Sequence, residues 1–329
     1  MEKKMLGTSG IEVSALGFGC WAVGGPFWLD GLPDGWGEVD DSESVRAIQR
    51  ALELGIRLFD TADVYGTGHS EEILGRALNG RRHEAVIATK FGYTYDASTR
   101  HVYTRYDMSP EYIRNACEAS LRRLGTDYID LYQIHVGDIS LSELDSVIES
   151  LDRLKGQGWI RAYGWSTWDS GRVAAFAERS SCDAIQHSFN ILAGNQELLA
   201  LCERRQLSSI VNSPLAMGLL SGKFDAASHL PPDDVRGSKH EWVPYFKDGK
   251  PNPRHLDALE SVRDILASGG RSLVQGALGW IWGRSGRAIP IPGLKTVRQV
   301  EEAAGALEFG PLQPDQMDEI QAILDGRLP

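Results

Sequence analysis

Short apolar runs alternate along the chain with longer segments whose apolar positions recur every three or four residues. The runs ALGFG (15–19), IRLFD (56–60), AVIATK (85–90), YIDLYQIH (128–135), IRAYGWS (160–166), AIQHS (184–188), SSIVNS (208–213) and AIPIP (288–292) read as strands. Most are nearly continuous rather than alternating, the pattern of strands covered on both faces. Segments 42–54, 70–79, 109–124, 141–155, 169–179, 195–205, 272–283 and 296–307 carry the period of amphipathic helices. Ser109-Pro110 and Thr296 supply start signals for two of them. Eight such alternations predict an all-parallel sheet clad in helices, and favour closure into a (β/α)8 TIM barrel over an open doubly wound sheet. The first strand runs into GFGCWAVGG, whose glycine spacing is not GxGxxG, which counts against a Rossmann domain.

Three segments fall outside the alternation. Residues 4–14, with Thr-Ser-Gly at a turn, read as an N-terminal β-hairpin placed to plug the barrel's bottom. The first strand–helix loop (21–41) is long, rich in Gly and Pro, and carries Trp21, Trp28 and Trp36. A second polar insertion spans 222–254. Both insertions follow strand C-termini, the face where barrel active sites form. The tail 313–326 reads as a further amphipathic helix, and no linker or repeat divides the chain, so residues 1–329 are expected to form a single domain.

Composition narrows the class. With 42% hydrophobic and 24% charged residues the chain is globular, and no apolar stretch is long enough to span a bilayer. The N-terminus lacks the apolar core of a secretory signal, so a cytoplasmic protein is expected. Cys20, Cys117, Cys182 and Cys202 are scattered and read as reduced core residues. A formal net charge of -11 argues against a nucleic-acid surface. An anionic cofactor would need a local cluster of donors. The histidines never recur at metal-ligand spacing, so no metal site is expected.

The candidate chemistry lies at strand ends. DTADVYG (60–66) follows the second strand and sets Asp60 five residues before Tyr65; Lys90 and His135 end the third and fourth strands. Neighbouring strands run about 5 Å apart, so these four groups can converge. A tyrosine titrates near pH 10, high for an acid working at neutral pH. An ammonium beside it favours phenolate, and a carboxylate holds the ammonium. A neutral histidine can donate to a carbonyl or pass a proton. The expectation is a phenol of lowered pKa that protonates an alkoxide as a hydride arrives.

The chain resembles the aldo-keto reductase family, on DTADVYG with SEEILGRAL, then ATKFG, YIDLYQIH, GWS, AIQHSFN, SPLAMGLLSGK and IPIPGLKTVRQVEE, in that order from about residue 5 to 310. WxxGG in the first loop and the SPL segment are similar to microbial members related to potassium-channel β subunits. The resemblance implies a (β/α)8 barrel that binds NADPH, with NADH as the alternative, across its C-terminal mouth. It implies Tyr65 as general acid, tuned by Lys90 and Asp60, with His135 orienting the carbonyl. Cofactor contacts carry over to Trp21 and Asp60 at the nicotinamide, and to Ser166 and Gln186 at its carboxamide. Ser213, Leu215, Gly218, Leu219, Ser221 and Lys223 match the pyrophosphate segment. Gly293, Lys295, Thr296, Gln299 and Glu302 match the adenosine end, with Lys295 toward a 2′-phosphate. Thr167, Asn212 and Ala303 depart from the family pattern.

The substrate pocket is expected from Trp28, Trp36, Tyr93 and Tyr95, with Trp21 and residues of the second insertion, and would suit a ring-shaped or sugar-like carbonyl compound. Two readings stay open. One is a reductase of a small carbonyl substrate, run reversibly as an alcohol dehydrogenase; the other is a cofactor-binding regulatory or sensor protein of slow turnover. A barrel hydrolase using Asp60 or Asp63 with Glu71 leaves Lys90 and the SPL and PGLK segments without a role. Oligomeric state is not legible.

Overall fold

The structure is a computed structural model that describes residues 2–326. Eight parallel strands form its centre: β1 (Gly17–Gly19), β2 (Leu58–Asp60), β3 (Val86–Phe91), β4 (Ile129–Ile134), β5 (Ile160–Ser166), β6 (Ala184–Asn190), β7 (Ser208–Asn212) and β8 (Ala288–Pro290). Each pairs with the next in chain order. The circle closes where Gly19 N donates to Pro292 O at 2.9 Å, beside a parallel bridge from Gly19 to Gly293. A Cβ at Gly19 would lie 2.7 Å from the Ile291 carbonyl, so the seam closes because that position is glycine. The (β/α)8 barrel expected from the sequence is the fold observed.

Helices α1 (Asp41–Glu53), α2 (His69–Ala77), α3 (Pro110–Leu124), α4 (Leu144–Gly156), α5 (Ser170–Arg179), α6 (Gln196–Arg204), α7 (Pro253–Leu266), α8 (Leu273–Arg284), α9 (Val297–Phe309) and α10 (Pro314–Asp325) surround the strands. The caps behave as their chemistry dictates. Ser109 accepts from Tyr112 N ahead of α3, and Thr296 from Gln299 N ahead of α9. All four cysteines are buried thiols with no disulfide.

Side chains from the strands fill the barrel's lower half: Leu58, Val86, Ala88, Leu131, Ala162, Ala184, Ile210, Ile289 and Ile291. Leu6, Ile11 and Val13 complete that cluster from the N-terminal hairpin, whose strands Lys3–Met5 and Glu12–Ser14 pair antiparallel. The hairpin is anchored where Gly7 N donates to Ser208 Oγ and Thr8 N to Asp183 Oδ1. The plug is in place.

Two regions are more ordered than the sequence pattern suggests. The second insertion contains a small hairpin (Phe246–Lys247 with Lys250–Pro251) and then α7, a helix the sequence reading left unassigned. Asn252 caps it through Arg254 N, Pro253 begins it, and Ala258, Leu259, Val262 and Leu266 form its buried stripe. Strands Tyr93–Asp96 and His101–Tyr106 form a hairpin after β3 and join Trp28–Leu29 and Leu32–Pro33 from the first loop in a four-stranded sheet. No helix among the described residues is long and apolar enough to cross a membrane.

Candidate active site

Lys90 projects from β3 into the barrel and is wholly buried. A bare ammonium there would be costly to bury, and three oxygens compensate it. Its Nζ lies 2.6 Å from Asp60 Oδ2, 2.8 Å from the Thr61 carbonyl and 3.3 Å from the Tyr65 hydroxyl. Asp60 ends β2, and its other oxygen, Oδ1, accepts from Gln186 Nε2 at 2.7 Å and Gln133 Nε2 at 3.2 Å. The carboxylate is thus held on both oxygens by β3, β4 and β6.

Tyr65 is aimed by its turn. Gly66 takes φ +60°, and a Cβ on it would lie 2.0 Å from the Gly24 carbonyl. A Cβ on Gly24 would in turn lie 2.8 Å from the Tyr65 carbonyl carbon. This close approach of two glycine backbones lays the Trp21 turn against the tyrosine. The Trp21 ring stacks on Tyr65 with centroids 6.0 Å apart and planes 24° apart. The His135 ring meets Tyr65 edge-on at 5.8 Å, and Tyr93 packs on His135 at 5.4 Å.

Burial dominates the electrostatics. It pushes the Tyr65 phenol up to about 12, against the downward pull of Lys90. This corrects the expectation that the ammonium would lower it: the ring is half-buried between Trp21 and His135, and desolvation outweighs a cation already shared with Asp60. Burial opposes the Lys90 ammonium too, yet Asp60 and Tyr65 hold it above its ordinary pKa. Burial, reinforced by Lys90, drives His135 well below its usual range, so its ring is neutral. His135 Nδ1 is buried and has no hydrogen-bond partner among the described residues.

Beside this cluster lie the segments after β7 and β8. Ser166 and Gln186 sit opposite each other on β5 and β6, with the Gln186 amide spent on Asp60. Asn212 Nδ2 contacts Gln186 Oε1 at 3.5 Å. Ser213 has φ +48° and Gly218 φ +91°, shaping the turns of the SPL segment. Leu215 is half-buried, while Leu219 is buried in the core, leaving its backbone as the part that can line a groove. Ser221 Oγ donates to Gly218 O. Beyond β8, Lys295 N donates to Gln299 Oε1 and Lys295 Nζ to the Trp36 carbonyl at 3.3 Å. Glu302 lies one turn into α9, and Gly293 has open space where a Cβ would be.

This donor set suits an extended polyanion. Burial lowers the Lys223 ammonium, and Arg236, Lys295 and Arg298 lower it further by repulsion. Burial and Arg236 lower Lys295 in the same way. Cations crowded so closely are relieved by an anion placed among them. Lys223, Lys295 and the backbone around Gly218 would hold its phosphates.

The four aromatic pocket candidates divide. Tyr93 lies against His135, and Trp36 meets Trp21 edge-on at 5.2 Å. Trp28 instead stacks on His101 in the four-stranded sheet, at 5.5 Å and 17°. Tyr95 packs around the same small cluster as Trp21 and Tyr65, with its hydroxyl toward Arg123. Thr167 is turned away, donating to the Gly137 carbonyl, and Ala303 is a core residue of α9.

Three side chains near the site went unnoticed in the sequence. Gln133 could have been found by strand alternation, two residues before His135. Arg236, paired with Asp234 and lying 4.6 Å over the Trp36 ring, offers no local signal beyond its charge. Trp242 packs on Trp21 at 6.0 Å from within the second insertion.

Comparison with known proteins agrees with this geometry. The profile of the Aldo/keto reductase family matches residues 15–325. The NADH-specific methylglyoxal reductase of Escherichia coli (strain K12) is 33% identical, over 94% of each chain. The glycerol dehydrogenase AKR11B4 from Gluconobacter oxydans superposes with a TM-score of 0.82 at 32% identity, covering 97% of this chain and 94% of that one. The holo form of aldo-keto reductase AKR11C1 from Bacillus halodurans gives a TM-score of 0.79, also at 32% identity, with 98% and 96% covered. Barrel, strand-end cluster and sequence therefore agree that this chain belongs to the aldo/keto reductase family of oxidoreductases.

Proposed function

We propose that the protein is an NADPH-dependent carbonyl reductase, reversible as an alcohol dehydrogenase, with Tyr65 as its general acid. The observation that carries this reading is the Lys90 ammonium, buried between the Asp60 carboxylate and the Tyr65 hydroxyl. When bound, the reduced nicotinamide supplies a hydride to the carbonyl carbon.

The chain's own residues supply the rest. Tyr65 is a protonated phenol at neutral pH and donates its proton to the carbonyl oxygen as negative charge develops there. Lys90 stabilises the phenolate left behind, because attraction between opposite charges is strong in a dry site. Asp60, fixed by Gln133 and Gln186, keeps Lys90 in place. His135, neutral, orients the carbonyl by a hydrogen bond. Trp21 and Tyr93 exclude water around the phenol. The choice of NADPH over NADH rests on Lys295 and its basic neighbours, which suit a 2′-phosphate. The family includes an NADH-specific member.

The test is NADPH oxidation with a panel of aldehydes, quinones and keto-sugars, comparing the wild type with Tyr65→Phe. Turnover of one class, lost by at least about 100-fold in the variant, is the expected result. Tight NADPH binding without turnover of any class would favour a regulatory, cofactor-sensing protein instead.

A further inference from the structure

The strand end that carries His135 is pinned on both sides. Before the ring, His135 N donates to the Phe91 carbonyl of β3 at 2.8 Å. After it, donors from the end of β5 and the start of α5 take the backbone carbonyls of the following turn. Trp165 Nε1 donates to Val136 O at 2.8 Å, Thr167 Oγ1 to Gly137 O at 2.7 Å, and the Arg172 guanidinium to Ile139 O. The Trp168 ring lies over the same turn. A Cβ at Gly137 would sit 2.6 Å from its Cζ3, so this approach requires glycine.

The Thr167 hydroxyl has a defined direction. Its oxygen accepts from Asp169 N at 3.3 Å, and its proton goes to Gly137. Asp169 is fixed in turn, because its carboxylate caps α5 through Arg172 N. Thr167 N donates to Gln186 O at 3.0 Å, so one residue ties β6 to the turn after β4. Thr167 is 2% exposed and Gly137 is buried, so removing the donor leaves a carbonyl that water does not readily reach. The His135 ring itself is held more loosely. It touches Tyr65 at 5.8 Å and Tyr93 at 5.4 Å, and its Nδ1 has no hydrogen-bond partner among the described residues. With no bond at that nitrogen, the direction of the ring depends on two aromatic neighbours and on the backbone that carries it.

We propose that Thr167 is a positioning residue for carbonyl reduction, acting through the Gly137 carbonyl to hold the His135 ring in the direction that meets the substrate oxygen beside Tyr65. The proposal rests on the reductase reading above, in which His135 orients the carbonyl. A small error in that direction misaligns the carbonyl against both the hydride and the phenol, which lowers the rate of the chemical step rather than the affinity for cofactor. Thr167 is thereby a residue of the reaction without touching substrate.

The experiment measures the single-turnover rate at saturating NADPH, with the best substrate of the panel above, in the wild type, Thr167→Val and Thr167→Ser. Thr167→Val keeps the shape and removes the donor. It is expected to lower the rate about ten-fold, with NADPH affinity within about two-fold of the wild type. Thr167→Ser keeps the hydroxyl and is expected to return the rate to within about three-fold. In a His135→Gln background, Thr167→Val is expected to cost less than about two-fold further, because both changes remove the same alignment. Should Thr167→Val not fold, Thr167→Cys, a weak donor of similar size, takes its place with a smaller loss in the same direction. A rate unchanged while the denaturant midpoint falls makes the bond structural only and overturns the proposal. So does a loss of NADPH affinity at an unchanged rate, or a full further loss in the His135→Gln background. Each of these leaves the reductase reading intact, whereas a wild type that turns over no member of the panel overturns both.

Discussion

Lys295 and Trp36, far apart in sequence, meet where the lysine Nζ donates to the tryptophan carbonyl at 3.3 Å. The cation beyond β8 is therefore held by the first loop. If it meets a 2′-phosphate, Lys295→Ala weakens NADPH binding by about ten-fold, the range of one charge-assisted hydrogen bond, and NADH binding much less. Equilibrium titration by quenching of tryptophan fluorescence reads both affinities. An equal loss for the two cofactors would place Lys295 elsewhere.

Asp60 and Lys90 stabilise one another only as a pair. Lys90→Met leaves a buried carboxylate without its cation and is expected to cost about 3–5 kcal/mol in denaturant unfolding. The double variant Asp60→Asn/Lys90→Met removes both charges and should recover most of that loss. Both variants are expected to lose carbonyl reduction if Lys90 and Asp60 act on Tyr65 as proposed. Stability and activity thereby separate.

If Tyr65 is the general acid proposed above, its pKa, pushed up to about 12, sets the pH behaviour of the chemical step. Reduction would then use the phenol, which is the form present below that value. Its single-turnover rate is expected to stay flat across neutral pH and to fall only as pH approaches about 12. Alcohol oxidation uses the phenolate, so its rate should climb with pH over the same interval. Stopped-flow measurement at saturating cofactor checks both. A reductive rate that falls between about pH 7 and 9 would mean that a group of ordinary pKa donates the proton.

Two buried histidines predict sensitivity to acid. His135 is held well below its ordinary 6.5, and His187, bonded to Ser209 Oγ, is lowered to about 4, both mainly by burial. Each titrates lower in the folded chain than in the unfolded one. The stability they confer is fully present above 6.5 and is lost as pH falls toward the folded values. The denaturant midpoint should drop as pH falls from about 6.5 toward 4, and His187→Gln should flatten part of that drop.

The barrel was legible because its strands are buried on both faces, which writes each as an apolar run such as AVIATK. Asp60, Lys90 and His135 were legible because each breaks such a run at its end. Helix α7 was hidden by its start, where Asn252 and Pro253 close a polar stretch; the stripe from Ala258 to Leu266 was present but unanchored. The hairpin at 93–106 hides because its strands are half exposed and its tyrosines serve either state. The direction of the Tyr65 shift depends on how completely other elements enclose the ring, and no local pattern reports that. Arg236 and Trp242 share this difficulty. Their meaning comes from the first loop folding onto the second insertion, a contact between segments some 200 residues apart.

The hairpin that seals the barrel also constrains the order of assembly. Gly7 finds its partner at Ser208, 201 residues later, and the cavity for Leu6, Ile11 and Val13 exists only once strands up to β8 are in place. The hairpin precedes every barrel strand in the chain and is thus among the last elements to dock. Until then three apolar side chains stay exposed to solvent and to other chains. Non-local closure of this kind slows folding and lengthens exposure to aggregation.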